Sequence, residues 1–138
     1  MTNSDFIKRW FEDVWNNKSE AAVEEMLADD GVGYGLPGGE IRGPAAFKTY
    51  QRALLSAYPD LRVIVEDTIT EGDKVAARCR VTGVHQGEGL GLTVTNKPVE
   101  FTGMCMLRLK DGKIIEAWNE FNFMEMYQQL GALSLNIQ

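Results

Sequence analysis

The chain has 138 residues, of which 44% are apolar and 25% are charged, and its formal charge is -6 at pH 7. This length and composition are typical of one soluble globular domain over residues 1–138, large enough for a core and one site. The negative charge disfavours nucleic acid and anionic membranes as partners, because a surface dominated by carboxylates repels both polyanions. A small apolar or aromatic molecule remains open as a partner.

The N-terminal half is predicted to be mainly helical. Apolar and aromatic residues recur there at three- and four-residue spacing. Ser4 and Ser19 are favoured capping residues, and Pro44 suits the first turn of a helix. The predicted elements are a helix over 4–15, a helix over 19–27, a short strand over 32–36 and a helix over 44–57.

From residue 61 onward the apolar period changes to two, which predicts strands over 62–71, 74–85 and 98–110, then a final strand and a terminal helix. Gly72 and the pair Asp111-Gly112 mark hairpin turns. Helices followed by an antiparallel meander indicate an α+β fold, with helices gathered on one face of a curved sheet. The glycine-rich segment 86–97 is either the lip of a pocket or a plain hairpin connection.

Cys79 and Cys105 lie in apolar or alternating stretches without Cys or His at metal-ligand spacing. They are expected to be buried thiols rather than a disulfide or a metal site. The start of the chain lacks a basic region followed by an apolar run, and no apolar run reaches the roughly 18 residues that a membrane span needs. We expect a cytoplasmic protein.

The final strand carries the strongest functional signal. At the two-residue period of a strand, Glu116, Trp118, Glu120 and Asn122 share one face. Hydrogen-bonding side chains around an indole are typical of the polar floor of an apolar pocket. We therefore expect this face to point into a hollow beneath the helices.

The turn at 111–112 also predicts how this strand pairs. A two-residue turn sets Lys110 opposite Lys113. The same register sets Glu120 opposite Gly103, which would leave space for the carboxylate. By continuation it also pairs Cys105 with Trp118 and Phe101 with Asn122.

Several sequence blocks, in this order and spacing, resemble the SnoaL-like polyketide cyclase family over nearly the whole chain. The blocks are Thr-Gly-Val-His-Gln-Gly at 82–87, Gly-Leu at 91–92, Lys-Pro-Val-Glu-Phe-Thr-Gly at 97–103, Asp-Gly-Lys-Ile-Ile-Glu-Ala-Trp at 111–118 and Gln-Gln-Leu-Gly at 128–131, with Trp-Phe-Glu at 10–12 and Trp-Asn at 15–16. The resemblance implies a single domain with the cone-shaped fold of nuclear-transport-factor-like proteins, a deep cavity, and homodimers or homotetramers that pack through the outer sheet face. It also implies ring closure of an aromatic polyketide ester by intramolecular aldol condensation, with no metal or cofactor.

One residue departs from the family pattern. The resemblance implies an aspartate, serving as acid and base, at the fourth position after the tryptophan of the final strand, where this chain has Asn122. An amide accepts and donates hydrogen bonds but does not carry a proton away near neutral pH. Other side chains must therefore supply the base if the chain is an enzyme.

Three residues are the candidates for catalysis. His85 has the side chain whose unperturbed pKa is nearest to neutral pH, although a lone histidine at a strand end is often structural. Glu120 is the second candidate base if it lies in an apolar cavity, and it is otherwise solvated or in a subunit contact. Asn122 either polarises a carbonyl or caps the terminal helix.

Aromatic and methionine side chains are expected to form the wall of the cavity, or else simply the core. The expected substrate-binding residues are Trp118, Trp15, Tyr34, Phe101, Met104 and Met106. Arg78 and Arg80 share a strand face and are expected to form ion pairs with Glu66 or Glu100 on the outer sheet.

The hypothesis is a cofactor-free enzyme that acts by acid-base chemistry on an apolar substrate bearing a carbonyl group. Two alternatives stay open: a binding protein that kept the cavity without catalysis, and a hydrolase, isomerase or dehydratase on the same fold.

Overall fold

Most of the helical residues lie in the first part of the chain and most of the strand residues in the second in the computed structural model, which describes residues 1–134. In order, the elements are α1 (Asn3–Trp10), a π-helical segment (Phe11–Asn16), α2 (Glu20–Met26), β1 (Leu27–Tyr34), β2 (Ile41–Arg42), α3 (Gly43–Ala57), β3 (Arg62–Glu71), β4 (Lys74–Val84), β5 (Pro98–Lys110), β6 (Lys113–Phe121) and α4 (Phe123–Gln129). The predicted strands 62–71 and 98–110 match β3 and β5.

The strands form one sheet in the order β2-β1-β6-β5-β4-β3. The run from β3 to β6 is antiparallel, whereas β1 lies parallel to β6. The helices pack on the inner face of this curved sheet, which confirms the predicted α+β fold. Among residues 1–134, no helix is both long and apolar enough to cross a membrane.

The first helix begins at a different cap from the predicted one. The Thr2 hydroxyl accepts the Asp5 backbone N–H at 3.0 Å, and the Asp5 carboxylate reaches back to the Thr2 N–H, which makes a capping box. Ser4 instead hydrogen-bonds Thr68 on β3 at 2.7 Å. The other two predictions hold, since Ser19 caps α2 and Pro44 lies in the first turn of α3.

A π-helical segment continues α1 and carries aromatic residues into the core. Its wider turn is closed by the Asn17 N–H and the Glu12 carbonyl at 2.8 Å. The Asn16 side chain then pairs with the backbone of Val63 on β3, donating at 2.9 Å and accepting at 2.7 Å. This segment buries Phe11 and Trp15 against the sheet.

The hairpin between β5 and β6 starts as predicted and then departs from prediction. Lys110 lies opposite Lys113, but Ile115 is an extra residue without a partner, a β-bulge between the pairs Leu109–Ile114 and Arg108–Glu116. The register beyond it is shifted by one residue, so the three predicted pairings were wrong. The pairs are Met106–Trp118, Cys105–Asn119, Met104–Glu120 and Gly103–Phe121.

This shift reverses the two faces of β6. Because side chains alternate along a strand, a shift of one residue moves each of them to the opposite face. Ala117, Asn119 and Phe121 point toward the helices, and Trp118 and Glu120 lie on the outer face. The predicted pocket floor is therefore on the outside of the sheet.

The end of β5 extends beyond β6 and is covered by a side chain. The Gln129 carboxamide on α4 accepts the Glu100 backbone N–H and donates to the Glu100 carbonyl, both at 2.8 Å. The Asn122 N–H donates to the Thr102 carbonyl at 2.9 Å. Together these contacts fix α4 across the end of the sheet.

Ion pairs cross the outer face, as predicted for the arginines of β4. Arg80 contacts Glu66 at 2.6 Å and Glu100 at 3.3 Å, and Arg78 contacts Glu66 at 3.3 Å. All of these groups are partly or fully solvated, so each pair contributes little to stability.

Candidate ligand site

An apolar pocket lies between the helices and the inner face of the sheet. Its volume is about 60 Å³, counted as the space open to the centre of a water molecule. Most of its wall is apolar or aromatic, and none of its lining residues is charged. The lining residues are Trp10, Phe11, Trp15, Leu27, Gly33, Leu36, Ile41, Phe47, Tyr50, Leu54, Leu61, Val63, Val81, Phe101, Cys105, Leu107, Ile114, Ala117, Asn119, Phe121 and Phe123.

Four aromatic rings form one continuous wall of the pocket. Phe47 lies 5.2 Å from the Trp10 ring, 5.9 Å from Trp15 and 6.0 Å from Tyr50 between ring centroids, and Trp15 meets Tyr50 at 5.8 Å. Edge-to-face contacts of this kind add to the stability that area burial provides. These contacts make one side of the pocket an aromatic surface.

Two polar side chains interrupt this apolar lining. The Asn119 amide on β6 donates one N–H to the Tyr34 carbonyl at 3.0 Å, which fixes its orientation. Tyr50 reaches the pocket from α3. Burial raises the pKa of the Tyr50 hydroxyl well above its usual range, and nearby Tyr127 adds to that effect. The hydroxyl is therefore neutral at working pH and can donate a hydrogen bond.

Gly35 allows the backbone of β1 to approach Asn119 closely. A Cβ on Gly35 would lie 1.9 Å from the Asn119 carbonyl oxygen, and the residue has φ +84°. Only glycine fits at this position without moving β6. The end of β1 thus determines where the Asn119 amide lies.

The two thiols are buried and free, as predicted. Cys105 lines the pocket, where burial raises its pKa far above the usual range, with a smaller effect from Cys79. Burial, followed by the charge of Glu66, raises the pKa of Cys79 to about 12. Both sulfurs are protonated at neutral pH and are poor nucleophiles.

Of the six expected substrate-binding residues, Trp15 and Phe101 line the pocket. The other four lie on the outer face, Trp118 because of the bulge and Tyr34, Met104 and Met106 because of the alternation of β1 and β5. Tyr34 stacks on Trp118 with ring centroids 6.3 Å apart, and Met104 is 54% exposed. Met106 is paired with Trp118 on the same side. Their predicted position in the pocket wall was wrong.

The structure also separates the three candidate catalytic residues. Glu120 is exposed on the outer face opposite Met104. Asn122 is exposed and caps α4, since its side-chain oxygen accepts the Glu125 N–H at 3.1 Å. Neither residue lines the apolar pocket. The observed contact of the Asn122 side chain is the helix cap, which was one of the two alternatives for this residue.

His85 is fully buried but does not line the pocket. Its Nδ1 accepts the Thr95 N–H at 3.2 Å, which leaves the proton of the neutral ring on Nε2. The ring lies 5.5 Å from that of Tyr58, and neither Nε2 nor the Tyr58 hydroxyl has a partner among residues 1–134. The contacts to Thr95 hold together the two ends of the 86–97 segment.

The segment 86–97 packs on α3 and is not the lip of the pocket. The N–H groups of Gln86 and Gly87 donate to the Ala57 carbonyl at 3.1 and 3.2 Å. A Cβ on Gly87 would lie 1.8 Å from the Ser56 carbonyl oxygen, so the glycine permits this close packing. No residue of the segment lines the pocket.

Sequence reasoning did not identify Tyr50 and Asn119 as pocket residues. Tyr50 fits the helical spacing of apolar residues over 44–57, so its hydroxyl gives no separate signal in the sequence. The two-residue period that groups Trp118 and Glu120 on the expected pocket face leaves Asn119 on the opposite face, because nothing in the sequence marks the bulge at Ile115. A register shifted by one residue would have identified it.

The fold and pocket define a small α+β protein with an apolar hollow under its helices. A sequence profile of the SnoaL-like polyketide cyclase family matches residues 6–130. The chain belongs to this family. Among curated proteins, none matches the chain in sequence.

Solved structures agree with this assignment. IdmH from Streptomyces antibioticus, described as a candidate polyketide cyclase, is 30% identical to this chain in sequence and superposes with a TM-score of 0.82. The match covers 95% of this chain and 99% of IdmH. AclR from Streptomyces galilaeus, described as a candidate hydroxylase, is 28% identical, with a TM-score of 0.82 and coverage of 99% and 91%. A protein of Catenulispora acidiphila with a ketosteroid isomerase-like fold, at 16% identity and a TM-score of 0.80, covers 96% of each chain and shares the fold.

Proposed function

We propose that this protein catalyses ring closure of a neutral, apolar substrate that carries carbonyl groups, by an aldol-type reaction in the pocket between the helices and the sheet. The observation that carries the proposal is an uncharged pocket lined by two hydrogen-bonding side chains, Tyr50 and the oriented Asn119, in a chain of the SnoaL-like polyketide cyclase family. The 30% identity to IdmH supports the same class of reaction.

The aromatic wall would act by folding the substrate. Holding the two reacting ends of one molecule near each other replaces a rare chain conformation with a bound one, an effect worth up to several kcal/mol of the barrier. The rings of Trp10 and Trp15 are buried and both contact the buried Phe47 ring, so their positions are fixed before the substrate binds.

The polar groups would act on the carbonyl oxygen. In an aldol closure, the α-carbon loses a proton, a carbon–carbon bond forms to the second carbonyl carbon, and that carbonyl oxygen ends as a hydroxyl. The net reaction moves one proton from carbon to oxygen. Because the pocket lining has no carboxylate or imidazole, a hydroxide ion from solvent would take the proton from carbon, and the water so formed would return one to oxygen. Tyr50 O–H and the free Asn119 N–H are suited to hold the oxygen while it carries negative charge.

The test is turnover by matched variants. Wild type would be incubated with neutral poly-β-ketone methyl esters, and cyclised products would be measured by liquid chromatography and mass spectrometry. Tyr50→Phe and Asn119→Leu each remove one donor, and each should lower kcat/KM by about 10²-fold or more. Tyr34→Phe and Asn122→Asp change the same residue types outside the pocket and should retain wild-type turnover.

Equal losses in both sets, or full turnover in Tyr50→Phe and Asn119→Leu, would overturn the proposal. Circular dichroism of each variant distinguishes a chemical loss from unfolding. Crystals soaked with an unreactive ketone provide a second check, because its oxygen should lie within hydrogen-bond distance of Tyr50 or Asn119.

A second candidate function is binding without turnover. It is favoured by the pocket lining, which has no carboxylate or imidazole in the described chain. Such a protein would bind the same neutral esters with a saturable fluorescence change and would release them unaltered. Product formation by wild type that is lost in Tyr50→Phe distinguishes catalysis from binding alone.

We also propose that a second copy of the chain covers the outer sheet face. Ile64, Ile69 and Met104 are exposed there, and the Tyr34–Trp118 stack lies beside the Arg108 guanidinium. Aromatic, Met and Arg side chains are enriched at protein interfaces. Light scattering coupled to size exclusion should give a dimer or tetramer, and Met104→Lys should shift it toward the monomer.

A further inference from the structure

The pocket is too small for the substrate that we propose. A buried site needs about 10–15 Å³ on this measure to hold one water molecule, so about 60 Å³ corresponds to a handful of atoms. A substrate that closes a ring has at least the atoms of that ring and its substituents. Part of the wall must therefore move before such a molecule enters.

The lining residues differ in how firmly their backbone is held. Nearly all of them lie on helices or on strands of the sheet. Leu36 and Leu61 are on irregular backbone. Leu61 is 3% exposed, and its N–H bonds the Tyr58 carbonyl at 3.1 Å, whereas Leu36 is partly exposed in the turn between β1 and β2. Leu36 is the lining residue with the least support.

The turn at 35–40 is weakly tied to the rest of the molecule. Within residues 1–134 it makes one backbone hydrogen bond of its own, from the Gly39 N–H to the Leu36 carbonyl at 3.2 Å. Gly38 and Gly39 have φ of +93° and +97°, and a Cβ added at either residue would have no atom within 4 Å. The strand that follows, β2, has two residues and lies at the sheet edge.

We propose that this turn is the portal of the pocket and that the Leu36 side chain is its gate. The inference rests on the proposed function, because it assumes that a larger apolar molecule enters. In the closed state Leu36 completes the pocket wall beside Ile41. Rotation about the glycine-rich turn withdraws Leu36 and opens a path to the aromatic wall.

The portal is connected to a polar group of the site. The residue before the turn, Gly35, lies directly on the Asn119 backbone, and the Tyr34 carbonyl accepts the Asn119 amide. The turn is therefore joined directly to the two residues that hold Asn119. Movement of the turn during entry would therefore be transmitted to Asn119.

The gate is tested first without a ligand, by acrylamide quenching of tryptophan fluorescence. A Trp118→Phe background removes the outer-face fluorophore, and the pocket residues Trp10 and Trp15 remain, each about 5–6% exposed. Leu36→Ala should raise the quenching constant several-fold. Equal quenching in Leu36→Ala and its parent would overturn the gate, whether or not the protein is an enzyme.

The route of entry is tested by stopped-flow binding of 1-aminoanthracene, a neutral three-ring fluorophore. In wild type the observed rate should level off with concentration, because opening limits entry. Leu36→Ala removes apolar contacts of the closed state and should raise that plateau about tenfold. Leu61→Ala is the matched control, and acceleration by Leu61→Ala alone would place the portal elsewhere.

A glycine pair gives an independent check. Gly38→Ala strains the closed turn, because alanine disfavours positive φ, and should also accelerate entry. Gly112→Ala introduces a comparable strain at φ +75° in the β5–β6 hairpin and should leave the rate unchanged. One outcome separates the two proposals. If wild type binds no fluorophore but Leu36→Ala still raises the quenching constant, the proposed function is contradicted and the gate is supported.

Discussion

Gly103 is the position where the β5–β6 register can be tested most directly. A Cβ on Gly103 would lie 2.2 Å from Cδ1 and 2.7 Å from Cα of Phe121, the residue opposite it. These distances are about 1 Å below a normal contact, so Phe121 and its backbone must shift. We expect Gly103→Ala to lower the free energy of unfolding by about 2–3 kcal/mol, in the range of overpacked cores.

Urea unfolding followed by circular dichroism measures this free energy, with the slope compared between variants. A loss of that size should lower Tm by roughly 6–10 °C for a chain of this length. Gly33→Ala is the matched control, because its Cβ would meet nothing nearer than 4.0 Å. Adding Phe121→Leu to Gly103→Ala should recover part of the lost free energy of unfolding. The recovery is only partial because the contact of the new Cβ with the Cα of residue 121 remains. Equal costs for Gly103→Ala and Gly33→Ala would refute the register described above.

Three further predictions concern caps and thiols. Asn122→Ala should lower the free energy of unfolding by about 1 kcal/mol, whereas Asn122→Asp retains the cap and should not, as urea unfolding would show. Because burial raises the pKa of both Cys79 and Cys105, iodoacetamide should label neither at pH 8 until urea unfolds the chain, with mass spectrometry as the measurement. The Thr2 hydroxyl lowers the pKa of Asp5 below its usual 3.8. The cap therefore stabilises the fold above that pH, and this stabilisation is lost as the pH falls through the lowered pKa. As the pH is lowered, the Tm of Asp5→Asn should fall less steeply than the Tm of wild type.

The sequence predicted the elements better than it predicted the site. Two strands have the predicted bounds, because a two-residue apolar period and glycine turns are local signals. Lys110 lies opposite Lys113 for the same reason, since the turn alone determines that pair. Trp15 and Phe101 were identified as pocket residues because large aromatics in these elements point to the core.

The face of β6 could not be predicted, because it depends on one extra residue. Ile115 is apolar and fits the strand pattern in either register, so the residue type at this position does not indicate a bulge. What favours the bulge is tertiary: it brings Ile114 and Ala117 inward and leaves Glu116 to contact Arg108 at 3.1 Å outside. Asn119 could be recognised as a pocket residue after this arrangement was known.

The Gln129 carboxamide has a consequence for how the protein behaves at high concentration. The end of β5 beyond β6 would otherwise present unpaired N–H and C=O groups, which are a template for another chain to add a strand. Gln129 satisfies both groups of Glu100 with the geometry of a neighbouring peptide. Loss of this amide would expose an unpaired strand edge, and fibril or aggregate growth would be expected to begin there.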